Sequence, residues 1–151
     1  MNKSWIANGF TAANALFGGL SIMMSISGEY HVAAICILFA MAADAFDGRV
    51  ARALGTAGPM GVELDSLSDD ISFGVAAGAL MYSYQLRELG ALGFIPCALL
   101  GAFCAFRLAR FNVKVTSVHG YFEGLPCPTV GVIIACYVCL LYTSDAADDR
   151  I

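Results

Sequence analysis

The stretch that decides the fold runs from Asp44 to Asp69. It reads Asp44-Ala45-Phe46-Asp47-Gly48-Arg49-Val50-Ala51-Arg52 and, after a short break, Gly61-Val62-Glu63-Leu64-Asp65-Ser66-Leu67-Ser68-Asp69. If the first limb is helical, Asp44, Asp47 and Ala51 lie three and four residues apart and share one face. Asp65 and Asp69, four apart, share a face on the next limb. Between the limbs, Gly55-Thr56-Ala57-Gly58-Pro59 reads as a turn that brings them back together. Carboxylates converging from two antiparallel helices repel one another and need cations. All-oxygen ligation suits Mg²⁺ or Mn²⁺ better than zinc.

The surroundings of this stretch are strongly apolar. Of 151 residues 59% are hydrophobic and only 13% charged, with a mean hydropathy of +0.74. A soluble domain carries about 25% charged residues. The composition and the apolar runs predict an all-α, polytopic bundle of transmembrane helices. The net charge of −4 gives no basic surface for nucleic acid. Cys36, Cys97, Cys104, Cys127, Cys136 and Cys139 lie in or beside apolar runs and read as small apolar fillers. The N-terminus has one Lys and no small-residue cleavage site, so it reads as a retained first span rather than a cleaved signal.

Five spans are visible. The first covers about Trp5 to Ser27, long enough for roughly 30 Å of hydrocarbon. Its Asn8, Thr11 and Asn14 recur every three residues and form a polar stripe, which in a membrane faces protein or a polar cavity. The second span runs from about His31 to Leu54 and carries Asp44 and Asp47 in its second half; His31 reads as an interfacial residue. The third covers about Gly61 to Gln85, with Glu63, Asp65, Asp69 and Asp70 in its first turns. A charge at the membrane centre costs several kcal/mol, so these acids belong near the interface or in a wet cavity. The fourth runs from about Leu89 to Phe111, with Arg107 and Arg110 on one face. The fifth opens at Gly124-Leu125-Pro126-Cys127-Pro128 and ends near Tyr142, its prolines suiting a first turn.

Loop charges set the orientation. Lys3, Arg49, Arg52, Arg107, Arg110 and Lys114 fall on one side, and Arg87 and Arg150 on the other. The bias places the acidic cluster, at the ends of spans two and three, on the cytoplasmic face. The membrane domain is read as residues 1–143. Residues 144–151 are read as an acidic tail of separate origin, and Asp145, Asp148 and Asp149 are given no role.

The acidic stretch resembles the CDP-alcohol phosphotransferases. Their signature, Asp-x2-Asp-Gly-x2-Ala-Arg-x8-Gly-x3-Asp-x3-Asp, is filled by Asp44, Asp47, Gly48, Ala51, Arg52, Gly61, Asp65 and Asp69. The resemblance implies six membrane helices, two Mg²⁺ or Mn²⁺ ions, and a homodimer. It implies metal binding by Asp44, Asp47, Asp65 and Asp69, with Asp69 also the catalytic base. Gly48, Ala51, Arg52, Thr56, Gly61 and Asn8 would hold the CDP-lipid. The reaction would move a phosphatidyl group from CDP-diacylglycerol to an alcohol and release CMP. It would run in a multi-pass protein among membrane lipids, in the inner membrane of a prokaryote.

Asp65-Ser66-Leu67, Ser72-Phe73-Gly74-Val75-Ala76, Arg107-Leu108-Ala109-Arg110-Phe111-Asn112 and Phe122-Glu123-Gly124-Leu125-Pro126 resemble the phosphatidylserine synthase branch, which implies L-serine as acceptor. Arg107 or Arg110 could then pair with the serine carboxylate, or bind lipid phosphate instead. The chain departs from that branch at Ala77, where Pro is frequent, and at Asp70, where an apolar residue is usual. Three other readings stay open. One is a glycerol-phosphate or inositol-phosphate acceptor, which would call for more basic residues than this chain has. Another is a cation pathway, which intramembrane carboxylates permit but which leaves Gly48, Ala51, Arg52 and Gly61 unexplained. The third is a bundle left inactive by a missing sixth helix.

Overall fold

The computed structural model describes residues 4–55, 58–115 and 126–148. Helix α1 spans Ser4–Ile26, α2 Tyr30–Leu54, α3 Pro59–Asp69, α4 Ala76–Tyr84, α5 Ala91–Val115 and α6 Cys127–Asp148. A π-helical turn, Asp70–Val75, joins α3 to α4, and a 3₁₀ turn, Leu86–Leu89, precedes α5. No strand occurs among the described residues.

Local chemistry ends the helices where the sequence places glycine. Gly28 takes φ +85° after α1. The Glu29 amide donates to Met24 O (2.9 Å) and the Gly28 amide to Ser25 O (3.3 Å), the paired bonds of a Schellman cap. α2 stops at Gly55, at φ +62°. α3 restarts with Pro59 as its first residue, where the missing amide hydrogen costs nothing. Pro128, second in α6, suits that helix start in the same way.

The third span sits at the centre. Phe73, Ala76, Ala77 and Leu80 join Ala33, Ala34, Ile37 and Ala40 of α2 and Ala135 and Val138 of α6 in one buried cluster. Consecutive residues of the π turn meet different helices. Ser72 faces α1, Phe73 packs on Gly131 of α6, and Gly74 packs on Gly101 and Cys104 of α5. α5 returns antiparallel to this rod: Cys97 lies against Gly78, Gly101 against Gly74, and Asn112 Nδ2 donates to Ser66 Oγ at 3.0 Å. A Cβ on Gly78 would lie 2.7 Å from Cys97 O, so only glycine permits this approach.

The distribution of polarity is inside out. Asn14, Ser21, Ser25, Ser72, Asp47 and Asp69 are buried, while Trp5, Leu16, Met23, Phe39, Leu92, Phe103, Phe106 and Leu140 are exposed. Four helical segments, Asn8–Ile26, Tyr30–Val50, Ala91–Val113 and Cys127–Ser144, are long and apolar enough to cross a membrane. The chain is therefore an integral membrane protein with a helical bundle. The third span differs from expectation. It is continuous helix over 59–84, but its acids and π turn keep any one piece from being a long apolar helix.

The end away from the acids carries an aromatic layer: Tyr30 on Tyr84 (5.5 Å), His31 on Tyr142 (5.4 Å) and Tyr82 on Phe94 (4.2 Å). Such rings favour a membrane–water interface, and the stacking of His31 fits its reading as an interfacial residue. The cysteines need one correction. Cys104 of α5 and Cys127 of α6 are joined as a disulfide, with Cα atoms 6.0 Å apart, because the two helices meet there across the third span. Cys36, Cys97, Cys136 and Cys139 are free.

Candidate active site

α2 and α3 deliver the acids. Asp44 and Asp47 fall one turn apart on α2, and α3 folds back so that Asp65 faces them. One carboxylate oxygen from each of Asp44, Asp47 and Asp65 lies within 4.8 Å of the others. Asp44 is also within hydrogen-bonding reach of both Asp65 and Asp69. All four acids thus form one contiguous group. Asp47 and Asp69 are buried, and Asp44 and Asp65 are half-buried.

α1 supplies the neutral donors. The Thr11 hydroxyl and the Gly48 amide hydrogen-bond the Asp47 carboxylate. Asn14 Nδ2 donates to Asp69 Oδ1 at 3.0 Å. The sequence read the Asn8-Thr11-Asn14 stripe toward the site by its spacing, with Asn8 named for the CDP-lipid. Thr11 and Asn14 meet acids, while Asn8 Oδ1 lies 3.9 Å from where a Cβ of Gly61 would stand. Asn8 and Gly61 therefore face each other across α1 and α3.

The fit to a divalent cation can be judged from these atoms. Among the described residues Asp47 Oδ2 and Asp65 Oδ1 are buried and have no hydrogen-bond partner. An unpaired buried carboxylate oxygen is costly. Two like charges 4.8 Å apart repel by about 3–4 kcal/mol at an effective dielectric of about 20. A cation removes both penalties, and an all-carboxylate donor set suits Mg²⁺ or Mn²⁺. The group fits a divalent cation.

The remaining candidates are more dispersed. Ala51 and Arg52 lie on the last turns of α2, but their side chains, like the whole of Thr56, fall outside the described residues. Arg107 is half-buried beside a small cavity lined by Phe73, Leu100, Phe103, Cys104, Cys127 and Val130. Arg110 is exposed. The Asn112–Ser66 bond sets the C-terminal end of α5 against α3 beside Asp65. Both arginines therefore belong to the acidic end of the bundle.

The model of the CDP-alcohol phosphatidyltransferase family matches residues 4–147. The chain belongs to this family. Membership sets aside the cation-pathway reading. The chain is 37% identical over 134 residues to a CDP-diacylglycerol–serine O-phosphatidyltransferase of Helicobacter pylori, covering 88% of this chain and 56% of that protein. It is 37% identical over 134 residues to the Bacillus subtilis protein of the same name, covering 88% and 73%. It is 40% identical over 126 residues to an archaetidylserine synthase of Methanothermobacter thermautotrophicus, covering 82% and 53%. The chain thus spans little more than half of the H. pylori relative. No solved structure matches it.

Proposed function

We propose that this chain transfers the phosphatidyl group of CDP-diacylglycerol to L-serine, giving phosphatidylserine and CMP. The observation that carries the reading is the convergence of Asp44, Asp47 and Asp65 within 4.8 Å, with Asp69 alongside in hydrogen bond to Asn14. The acceptor rests on the relatives. Names from two bacteria and an archaeon differ in the lipid but share serine, which does not favour glycerol phosphate or inositol phosphate.

In this reading Asp44, Asp47, Asp65 and Asp69 hold two divalent ions. Bound there, the ions would neutralise the charge on the diphosphate and on the transferring phosphorus. Gly48, Ala51, Arg52, Thr56, Gly61 and Asn8 hold the CDP-lipid, Arg52 neutralising phosphate oxygens. Small residues at positions 48 and 51 let the ligand approach the α2 backbone. Arg107 or Arg110 pairs with the serine carboxylate. Asp69 takes the proton from the serine hydroxyl. The hydroxyl oxygen forms a bond to the phosphorus bearing diacylglycerol. The bond from that phosphorus to the bridging oxygen breaks, and CMP leaves with the electron pair.

Positive loop charges favour the acidic end facing the cytoplasm, in a prokaryotic inner membrane. The protein would work as a homodimer.

The test is CMP release from CDP-diacylglycerol in detergent with Mn²⁺ or Mg²⁺. Serine, glycerol 3-phosphate and inositol phosphate are offered separately, with Asp69→Asn as control. Serine-specific, metal-dependent release that the substitution abolishes supports the reading. Release with glycerol 3-phosphate instead discards serine and keeps the transferase.

A further inference from the structure

We propose that Asn14 is a positioning residue for Asp69, holding its carboxylate in the orientation that receives the acceptor's proton. This rests on the assignment of Asp69 as base.

Asn14 is 0% exposed in the middle of an apolar helix, where an amide is costly unless its partner repays the burial. Its side-chain amide donates to Asp69 Oδ1, 55 residues away in sequence. The third span grips the same residue a second time: Ser72 Oγ donates to the Asn14 backbone carbonyl at 2.9 Å. Asp69 and Ser72 lie three apart, one helical turn, so α1 is held at two points around one residue. The approach is close enough to require glycine at position 18. A Cβ there would lie 2.5 Å from Ser72 Oγ and 2.9 Å from Ser72 Cα.

Packing alone does not account for asparagine here. Among the described residues Asn14 Oδ1 is buried with no hydrogen-bond partner, so the residue carries an unmet polar atom that leucine, with the same branching, would not. What the amide adds is a neutral donor. It fixes Asp69 Oδ1 without neutralising the carboxylate, as a lysine would. A base must meet its proton within hydrogen-bonding reach, so fixing one oxygen fixes the direction of the other.

The test compares Asn14→Leu and Asn14→Gln with the wild type and Asp69→Asn. CMP release, thermal unfolding in detergent and Mn²⁺ affinity by titration calorimetry are measured for each. If Asn14 positions the base, Asn14→Leu still folds, unfolding a few degrees below the wild type because Asp69 loses a buried donor, and binds Mn²⁺ within about tenfold. Its kcat falls roughly 100-fold, as when one fixed donor is removed from a reacting site, and KM for the CDP-lipid changes less than about threefold. Asn14→Leu with wild-type kcat overturns the proposal, and so does a loss confined to unfolding temperature or KM. Should Asn14→Leu fail to fold, Asn14→Gln decides. A folded Gln variant, its amide displaced by one methylene, loses kcat more than about tenfold if the proposal holds, and wild-type kcat overturns it. An Asp69→Asn protein that keeps its full rate overturns the base assignment, and the role of Asn14 with it. An inactive Asp69→Asn beside an active Asn14→Leu overturns the role of Asn14 alone.

Discussion

Asp65 on α3 and Asp47 on α2 bring carboxylate oxygens within 4.8 Å of each other, and each leaves one buried oxygen without a hydrogen-bond partner among the described residues. Helices α2 and α3 therefore meet at their most repulsive point. The sign of any substitution here depends on whether a cation is bound.

Without metal, Asp65→Asn removes one like charge and raises the unfolding temperature by a few degrees, a gain of about 1 kcal/mol. With Mn²⁺, the wild type is stabilised by ligand binding and the variant is not. Thermal unfolding in detergent with EDTA and with Mn²⁺ checks both halves. A variant less stable than the wild type in EDTA would refute the repulsion argument.

Thr11→Val keeps the shape of the side chain and deletes the hydroxyl that bonds Asp47. The carboxylate loses a buried donor at a cost of about 1–3 kcal/mol. Weaker Mn²⁺ binding, by about tenfold, is the expected outcome by titration calorimetry. Unchanged affinity would show that Thr11 does not order Asp47.

Gly18→Ala places a methyl group against the backbone of Ser72 as well as its hydroxyl. The helices must move apart, which destabilises by about 1–3 kcal/mol. Adding Ser72→Ala should not restore stability, because the Cα remains. Unfolding of the single and double variants measures this, and full rescue by the second substitution would contradict the backbone contact.

Met60, at the exposed start of α3, and Arg87, in the turn before α5, lie at opposite ends of the bundle. Met60→Cys should react with a membrane-impermeant maleimide only from the cytoplasmic side, and Arg87→Cys only from the other. The reversed pattern in intact cells and inverted vesicles would reject the orientation read from loop charge.

Much of this was legible in the chain because it is local. Gly28 and Gly55 stop helices through a backbone conformation that glycine favours, and Pro59 starts one. Spacings of three and four put Asp44 with Asp47, and the intervening turn brought Asp65 to them. The bond between Cys104 and Cys127 was not legible, because apolar surroundings read the same for a thiol and for half a disulfide.

The sequence alone thus determined an integral membrane bundle, the family and the acids that converge. Helical periodicity and a dense, spaced signature are carried by neighbouring residues. Only the tertiary structure decided which member of the α1 stripe serves which acid: Thr11 meets Asp47, Asn14 meets Asp69, and Asn8 meets Gly61. It also decided the π turn that lets Ser72, Phe73 and Gly74 face three different helices. The physical reason is registry. A contact between residues 14 and 69 depends on how far two helices slide and at what angle they cross. That is set by close packing at Gly18 and Ser72, which no period along one helix encodes.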